Sequence, residues 1–294
     1  MKKMILFLAV AFCLSASAQQ APTKQITLKA FMQPDGYQGS SIQYGNNSQA
    51  GHYVQADDAR IYYEVYGKGE PVLVLHGGMV GCSYEMGLLI DSLSTKYQVI
   101  AVTTRGHGRS EIGHKPVTYE QRANDVLAAL NAVTDKPATL VLGFSDGAYT
   151  SYKLASMYPE RVKKLIAIGA GENLRLLRKV IGNNVETMKK VDLAFMQSQM
   201  ALMPEPERLQ EYWDALPEFY NDRMIADKKL FNSIKCPTLL ISGELDPNAP
   251  LETVLSAYRM IPDCSLAIIQ GAPHQVMVTN FPAVWANIAP FLKE

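Results

Sequence analysis

Six short apolar runs, separated by longer stretches of mixed polarity, constrain the fold of this chain more than any other feature. They are Val72–Leu75, Val99–Val102, Leu140–Leu142, Leu165–Ile168, Leu239–Ile241 and Leu266–Ile269. Strands that are buried on both faces have such nearly continuous apolar sequences, and parallel sheets consist of these strands. Helical periodicity is found at Tyr119–Val133, Ala148–Tyr158, Leu251–Ile261 and Ala283–Leu292. The alternation predicts an α/β fold with helices on the faces of the sheet.

Two further strands precede this alternation, and one long insertion interrupts it. His52–Gln55 and Arg60–Tyr66 alternate in polarity around two aspartates, as in an antiparallel hairpin. We therefore expect about eight strands, of which only the first are antiparallel. Residues 173–230 have helical periodicity with proline breaks and no clear strand, which predicts a helical cap. The α/β core would then comprise residues 51–172 and 231–294.

The N-terminal residues are typical of an export signal. Lys2 and Lys3 precede the apolar run Met4–Leu14, and the small residues around Ser17 form a cleavage motif. We predict a signal peptide over residues 1–18, cleavage near Ala18, and a periplasmic or secreted protein. The apolar run is too short to span a bilayer, so no membrane span is expected in the mature protein. Residues 19–50 lack apolar periodicity and are interpreted as an N-terminal extension.

Charge and cysteine content exclude several classes of function. Lys and Arg together number 28, as do Asp and Glu, so no basic face for nucleic acid is expected. No CxxC pair indicates zinc, and no metal or organic cofactor is predicted. Cys236 and Cys264 each precede a predicted strand. They are interpreted as free thiols, with a disulfide as the alternative if those strands are neighbours.

The sequence Gly143-Phe144-Ser145-Asp146-Gly147 indicates a nucleophilic serine. It follows an apolar strand and precedes a helix, and small residues at 143 and 147 permit the sharp turn that exposes a serine hydroxyl. The motif by itself has little specificity, since a glycine-rich turn with a helix-capping serine can have the same sequence. Its place between a strand and a helix makes Ser145 the candidate nucleophile.

A serine hydroxyl needs a base, and that base needs an acid to orient it. His274 is the only one of the five histidines that follows the last predicted strand, at the sheet edge where sites of parallel sheets gather. Asp246 follows the preceding strand and is the preferred acid, with Glu244 and Glu172 as the alternatives. The order Ser145, Asp246, His274 is that of the α/β-hydrolase fold.

Backbone N–H groups near the serine predict an oxyanion hole. The glycine loop after Leu75 can aim the N–H of Gly78, or of Met79, at a developing negative charge. Asp146 N–H, at the start of the helix after the nucleophile, is the second predicted donor. The Asp146 carboxylate would have to point away from that anion. His76 is expected to pack beneath the loop.

Together these motifs resemble the α/β-hydrolase superfamily from about Gly51 to the C-terminus. The matching stretches are HGG at 76–78, RGHGRS at 105–110, GFSDG at 143–147, GELDPNAP at 243–250 and GAPH at 271–274. They are similar to the branch with esterases, enol-lactonases, C–C bond hydrolases and proline iminopeptidases. Relatives usually carry an acid two residues before Arg105. This chain has Thr103 there, which predicts the loss of a supporting salt bridge.

The resulting hypothesis is a serine hydrolase that cleaves a small carboxylic ester or related acyl bond through an acyl-enzyme. The resemblance also allows a proline iminopeptidase-like aminopeptidase, which would need an acid on the cap, such as Glu186, Asp192 or Glu205. A binding protein without turnover is the alternative from another class. An intact triad and oxyanion loop argue against it.

The cap is rich in methionine and aromatic residues, which predicts an adaptable apolar pocket wall and a preference for apolar or aromatic esters. These residues are Met188, Phe195, Met196, Met200, Met203, Tyr212, Trp213, Phe219, Tyr220 and Met224.

Overall fold

The computed structural model describes residues 26–175, 177 and 179–293, and a mixed eight-stranded sheet forms its centre. The strands are β1 Gly51–Ala56, β2 Ala59–Tyr66, β3 Pro71–Leu75, β4 Gln98–Val102, β5 Leu140–Phe144, β6 Leu165–Ile168, β7 Thr238–Gly243 and β8 Cys264–Ile269. Their spatial order is β1-β2-β4-β3-β5-β6-β7-β8. Only the β1–β2 and β2–β4 pairs are antiparallel. The predicted α/β fold is therefore confirmed. The predicted signal peptide lies outside the described residues.

Helices cover both faces of this sheet and also form the insertion. They are α1 Gly87–Ser94, α2 Tyr119–Val133, α3 Asp146–Met157, α4 Val185–Val191, α5 Leu193–Met200, α6 Leu209–Glu218, α7 Lys228–Ser233, α8 Leu251–Met260, α9 Val276–Thr279 and α10 Phe281–Phe291. Leu73 and Leu75 of β3 belong to one apolar cluster, whereas Val72 and Val74 belong to the cluster on the opposite face. This burial on both faces explains the continuous apolar runs. No described helix is long and apolar enough to cross a membrane.

The strand order indicates where along the sheet a ligand would bind. The chain runs from β3 to β4 on one side and then returns to β5 on the other side of β3. In open α/β sheets, ligands bind outside the carboxyl ends of the strands at this reversal. The glycine loop follows β3 and Ser145 follows β5, so both lie at this point.

The cap extends from the sheet between β6 and α7. Asn173 and Ala226 exchange two backbone hydrogen bonds of 3.0 and 2.9 Å, which close the base of the insertion. The Trp213 indole N–H donates to Met79 O, and the Tyr212 hydroxyl donates to Arg105 O. The cap is thus attached to the loops that follow β3 and β4.

The N-terminal extension has neither helix nor strand between residues 26 and 50, yet it packs against the folded chain. Leu28, Ala30 and Tyr44 are almost fully buried. The carboxylate of Glu64 accepts from the backbone N–H groups of Gly45 and Asn47. We call residues 26–50 the arm.

The loop after β4 differs from expectation in how its arginine is held. Thr103 makes no ion pair, but the buried Arg105 donates bidentately to Asp125 and also to Asp58. Carboxylates from α2 and from the β1–β2 turn thus replace the missing acid. The sequence analysis did not identify either partner, because both are distant along the chain.

The described cysteines are free thiols. β7 and β8 are parallel neighbours, but Cys264 pairs with Thr238 in their register, and Cys236 lies two residues earlier. Burial raises the pKa of the Cys236 thiol to about 11 and that of the Cys264 thiol to about 12, so both are protonated near neutral pH.

Candidate active site

Ser145 lies on a strained turn between β5 and α3. Its φ of 51° is in the left-handed region that side chains other than glycine rarely adopt. A Cβ at Gly143 would lie 2.3 Å from the Gly147 carbonyl oxygen, and one at Gly147 would lie 2.5 Å from His76 O. Only glycine fits at both positions, so the backbones approach closely enough to expose the Ser145 hydroxyl. Strain of this kind is common at active sites.

Ser145, His274 and Asp246 form a continuous hydrogen-bonded chain. His274 Nε2 lies 2.9 Å from Ser145 Oγ, and His274 Nδ1 lies 2.8 Å from Asp246 Oδ2. The histidine follows β8, and the aspartate follows β7. The structure therefore brings together three side chains that sequence analysis had placed on three different loops. The arrangement is the geometry by which a base activates a serine.

Asp246 is held as a carboxylate. Its other oxygen accepts from the N–H groups of Asn248 and Ala249 at 2.8 and 2.9 Å. Burial raises its pKa, but the hydrogen bond and charge of His274 and these two N–H groups outweigh burial, and the net pKa is lowered. The rival acids lie elsewhere, since Glu172 accepts from Ser256 and Glu244 from the N–H of Gly271.

The predicted oxyanion donors lie beside the serine. Gly78 and Asp146 line the same cavity as Ser145 and His274. A Cβ at Gly78 would come within 2.7 Å of the Asp146 carboxylate, so the glycine loop and the start of α3 are in contact. The Asp146 N–H occupies the first position of α3, where no intrahelical acceptor exists. Both residues therefore line the cavity that holds Ser145, and their role as oxyanion donors stays a prediction.

The carboxylate of Asp146 belongs to a buried polar network that sequence analysis missed. It accepts from Arg122, Tyr119 and Tyr220, at distances from 2.6 to 3.0 Å. Burial raises the pKa of Asp146, but the Arg122 charge and the donated hydrogen bonds outweigh it and lower the pKa. Arg122 also donates to the Tyr212 hydroxyl of the cap. The negative charge beside the oxyanion site is therefore neutralised.

His76 lies beneath the glycine loop, as the sequence predicts. Its Nε2 accepts from the Thr104 N–H, and its Nδ1 lies 2.6 Å from Gly77 O. Burial lowers the pKa of His76 to about 3, and burial together with the nearby Arg122 charge lowers that of His107 to about 4. Both rings are therefore neutral near pH 7.

Glu85 is a second acid at the site, and it was not singled out from the sequence. It lines the cavity, and its carboxylate accepts from the N–H of Gly77, one residue before the predicted oxyanion donor Gly78. Burial raises the pKa of Glu85 to about 7, and the nearby Asp146 adds to the rise. Its position in a short 3-10 helix outside any motif gave no signal in the sequence.

A cavity of about 520 Å³ extends from Ser145 to the cap and the arm. Its apolar and aromatic walls are formed by Phe31, Met32, Met79, Phe144, Val180, Ile181, Phe195 and Tyr220. The prediction that cap methionines line the pocket is wrong, since Met196 and Met203 are buried in the apolar core. Phe195 and Tyr220 of the cap do line it. No three described side chains are grouped to hold a metal ion.

Comparison with known proteins agrees with this fold. A sequence model described as the alpha/beta hydrolase fold matches residues 70–233. A 2-hydroxy-6-oxo-6-phenylhexa-2,4-dienoate hydrolase from Comamonas testosteroni is 28% identical over 78% of this chain and 91% of its own. Serine hydrolase BPHL from Mus musculus is 25% identical over 67% and 70%, respectively.

Similarity to solved structures extends over most of the chain. A meta-cleavage product hydrolase from Pseudomonas fluorescens superposes with a TM-score of 0.72 at 19% identity, covering 84% of this chain and 99% of its own. At this identity the similarity concerns the fold.

Proposed function

This chain belongs to the alpha/beta hydrolase fold family, and from that premise we propose that it is an exported serine hydrolase of small, uncharged carboxylic esters. One observation carries the proposal. Ser145 Oγ, His274 and Asp246 are joined by hydrogen bonds of 2.9 and 2.8 Å at the floor of a cavity that the oxyanion loop also lines.

The proposed acylation step begins at Ser145. His274 Nε2 takes the hydroxyl proton as Oγ attacks the ester carbonyl, and Asp246 stabilises the imidazolium that forms. The N–H groups of Gly78 and Asp146 bind the oxyanion of the tetrahedral intermediate. His274 then gives its proton to the leaving alcohol, which departs as the carbonyl of the acyl-enzyme re-forms.

Deacylation repeats these roles with water as the nucleophile. His274 takes a proton from water, water attacks the acyl carbonyl, and the Ser145 oxygen leaves as the proton returns to it. The product is a carboxylic acid. Both steps use only substrate, water, these side chains and the two backbone N–H groups.

The charge of the cavity supports an uncharged substrate. None of the described lining residues is lysine or arginine, whereas Glu85 is present beside the glycine loop. A substrate carboxylate in this apolar cavity would find no cationic partner among the described lining residues, and burying an unpaired charge is costly. This favours an ester over a dienoate of the kind named for the Comamonas testosteroni relative.

The aminopeptidase alternative has no support from its predicted acids. Glu186 pairs with Lys189, Asp192 with Lys29 and Glu205 with Arg208, and none of the three lines the cavity. An acid that holds a substrate amine must be unpaired and must face the substrate. The non-catalytic alternative would leave the strain at Ser145 without a purpose.

Labelling with a fluorophosphonate probe tests the serine mechanism. The folded protein should be labelled, and Ser145→Ala should not be. A panel of methyl esters, matched amides and a dienoate C–C substrate then tests the bond class. Absence of labelling, equal labelling of Ser145→Ala, or turnover of the dienoate but of no ester would each contradict the proposal.

Export is proposed from the N-terminal sequence alone, and it has a separate test. The protein is expressed with its full N-terminus, the cells are fractionated, and the first residue of the purified protein is determined. We expect a periplasmic or extracellular protein that begins near Gln19. A cytoplasmic protein that begins at Met1 would contradict export without affecting the proposed chemistry.

A further inference from the structure

The arm reaches the cavity although it lies outside the region that matches the family, which begins at residue 70. Phe31 and Met32 both line the cavity that holds Ser145 and His274. An N-terminal segment without helix or strand thus contributes part of the wall around the candidate nucleophile. The arm therefore has access to whatever substrate the cavity accepts.

One buried carboxylate attaches the arm to the cap. Asp192, at the start of α5, pairs with Lys29 Nζ at 3.0 Å and accepts from the Met32 N–H at 2.9 Å. The same carboxylate caps α5 by accepting from the Phe195 N–H at 3.1 Å. Because one side chain binds both segments, Phe31 and Phe195 are held in a defined relative position.

The remainder of the arm is anchored to the core. Leu28 is buried against Cys82 of the core and Leu202 of the cap. Farther along, the Tyr44 hydroxyl donates to Asp91 at 2.6 Å. The arm is therefore attached to the cap through Asp192 and to the core through Leu28 and Tyr44, and its residues Phe31 and Met32 line the cavity between these attachments.

The Phe31 and Phe195 rings meet edge to face inside the cavity. Their centroids are 5.3 Å apart with an interplanar angle of 61°, which is a favourable geometry for aromatic pairs. Phe195 is buried, whereas Phe31 is only partly buried. The exposed part of the Phe31 ring is available to a third aromatic group.

We propose that Phe31 of the arm and Phe195 of the cap form a binding subsite for an aryl group of the ester substrate. The arm is then a specificity element of the active site. This inference rests on the proposed ester hydrolysis for its kinetic test, and a binding measurement tests it without turnover. The Ser145→Ala protein is suited to that measurement because it retains the subsite.

The kinetic test compares methyl phenylacetate and benzyl acetate with methyl acetate. In Phe31→Ala, the ratio of kcat/KM for the better aryl ester to that for methyl acetate should fall about tenfold, mainly through KM. Phe31→Leu keeps an apolar side chain without a ring, so it should lose part of this ratio. Tyr53→Ala is the matched control, because Tyr53 is an exposed aromatic residue on β1 that does not line the cavity.

The binding test uses calorimetric titration of Ser145→Ala with benzyl acetate and methyl phenylacetate. Adding Phe31→Ala to this background should weaken binding of the better ligand about tenfold. If Phe31→Ala and Phe31→Leu are folded and both the kinetic ratio and the affinity stay unchanged, the subsite is wrong while ester hydrolysis stands. If wild-type protein hydrolyses no ester, the proposed function fails. The subsite is then decided by whether Phe31→Ala weakens binding in the Ser145→Ala background.

Discussion

The floor and the roof of the cavity are built by different means. The floor consists of the loops after β3, β5, β7 and β8, where backbone geometry is fixed by close contacts such as those at Gly143 and Gly147. The roof consists of the cap and the arm, which Asp192 joins to each other through side-chain contacts, while Trp213 of the cap donates to the glycine loop below. This difference separates the chemistry from the selection of substrate.

The roof and the floor also differ in how far their side chains are exposed to solvent. Most of the exposed large apolar side chains in the described part of the chain belong to the arm and the cap: Met32, Leu174, Leu177, Ile181, Val191, Leu193 and Ile225. Asp246 of the floor, by contrast, is 5% exposed. We expect substitutions in the floor to affect turnover and those in the roof to affect selectivity.

The largest effect is expected in the floor, at Asp246. Asp246→Asn should lower kcat by about 10⁴-fold, because an amide favours the wrong tautomer of His274. Steady-state kinetics on the best ester measures this loss. Glu172→Gln is the matched control, since Glu172 binds Ser256 instead of the histidine. A comparable loss in that control, with Asp246→Asn nearly silent, would reverse the assignment of the acid.

Arg122 connects the floor to the roof, and its removal should affect both. Arg122→Met leaves the buried Asp146 carboxylate without its cation and should lower the free energy of unfolding by about 3–5 kcal/mol. Urea denaturation measures this change. The double variant Arg122→Met/Asp146→Asn removes the unpaired charge and should recover part of the stability. No recovery in the double variant would show that Arg122 acts mainly through its contact with Tyr212 in the cap.

Glu85 should make the oxyanion site sensitive to pH. Its pKa is raised to about 7, so its negative charge forms beside the glycine loop as pH rises from 6 to 8. This charge opposes a developing oxyanion in wild type and is absent from Glu85→Gln. The ratio of kcat/KM for Glu85→Gln to that for wild type should therefore rise roughly tenfold over this range, a difference of about 1.4 kcal/mol. Taking the ratio cancels any pH effect that the two proteins share. A ratio independent of pH would contradict this role.

Glu85 should also make the stability of the folded protein depend on pH. Between its ordinary pKa of 4.5 and its raised value of about 7, Glu85 binds more protons in the folded than in the unfolded protein. Stability that depends on Glu85 should therefore fall as pH rises through this window. The Tm of Glu85→Gln and of wild type, measured from pH 4.5 to 8, tests this prediction. Parallel curves of Tm against pH for the two proteins would contradict it.

The smallest effect is expected in the roof, at the ion pair of the arm. Lys29→Met removes a partly exposed pair and should cost about 0.2–1 kcal/mol of global stability. Proteolytic cleavage within the arm should nevertheless become faster, because Lys29 helps to hold it against Asp192. The matched control is Lys136→Met, which removes the exposed pair with Glu70. Equal cleavage rates in the two variants would show that the pair does not hold the arm.

Much of the floor could be predicted from the sequence. The strands were found because burial on both faces leaves continuous apolar runs, and Ser145 was found because a strand-to-helix turn needs glycine on both sides. His274 and Asp246 followed from chain order and from the shared edge of a parallel sheet. These are local patterns joined by one rule of sheet topology.

Only the tertiary structure revealed the contacts between distant segments around the serine. Phe31 packs on Phe195, Arg122 pairs with Asp146, and Glu85 accepts from the glycine loop. The sequence offered no motif for any of these contacts. The cap methionines were assigned to the pocket because composition does not say which side of a helix faces the core. Periodicity and turn chemistry are properties of neighbouring residues, so the sequence determines them by itself. Contacts between distant segments depend on how those elements pack, and that packing decides which side chains surround the substrate.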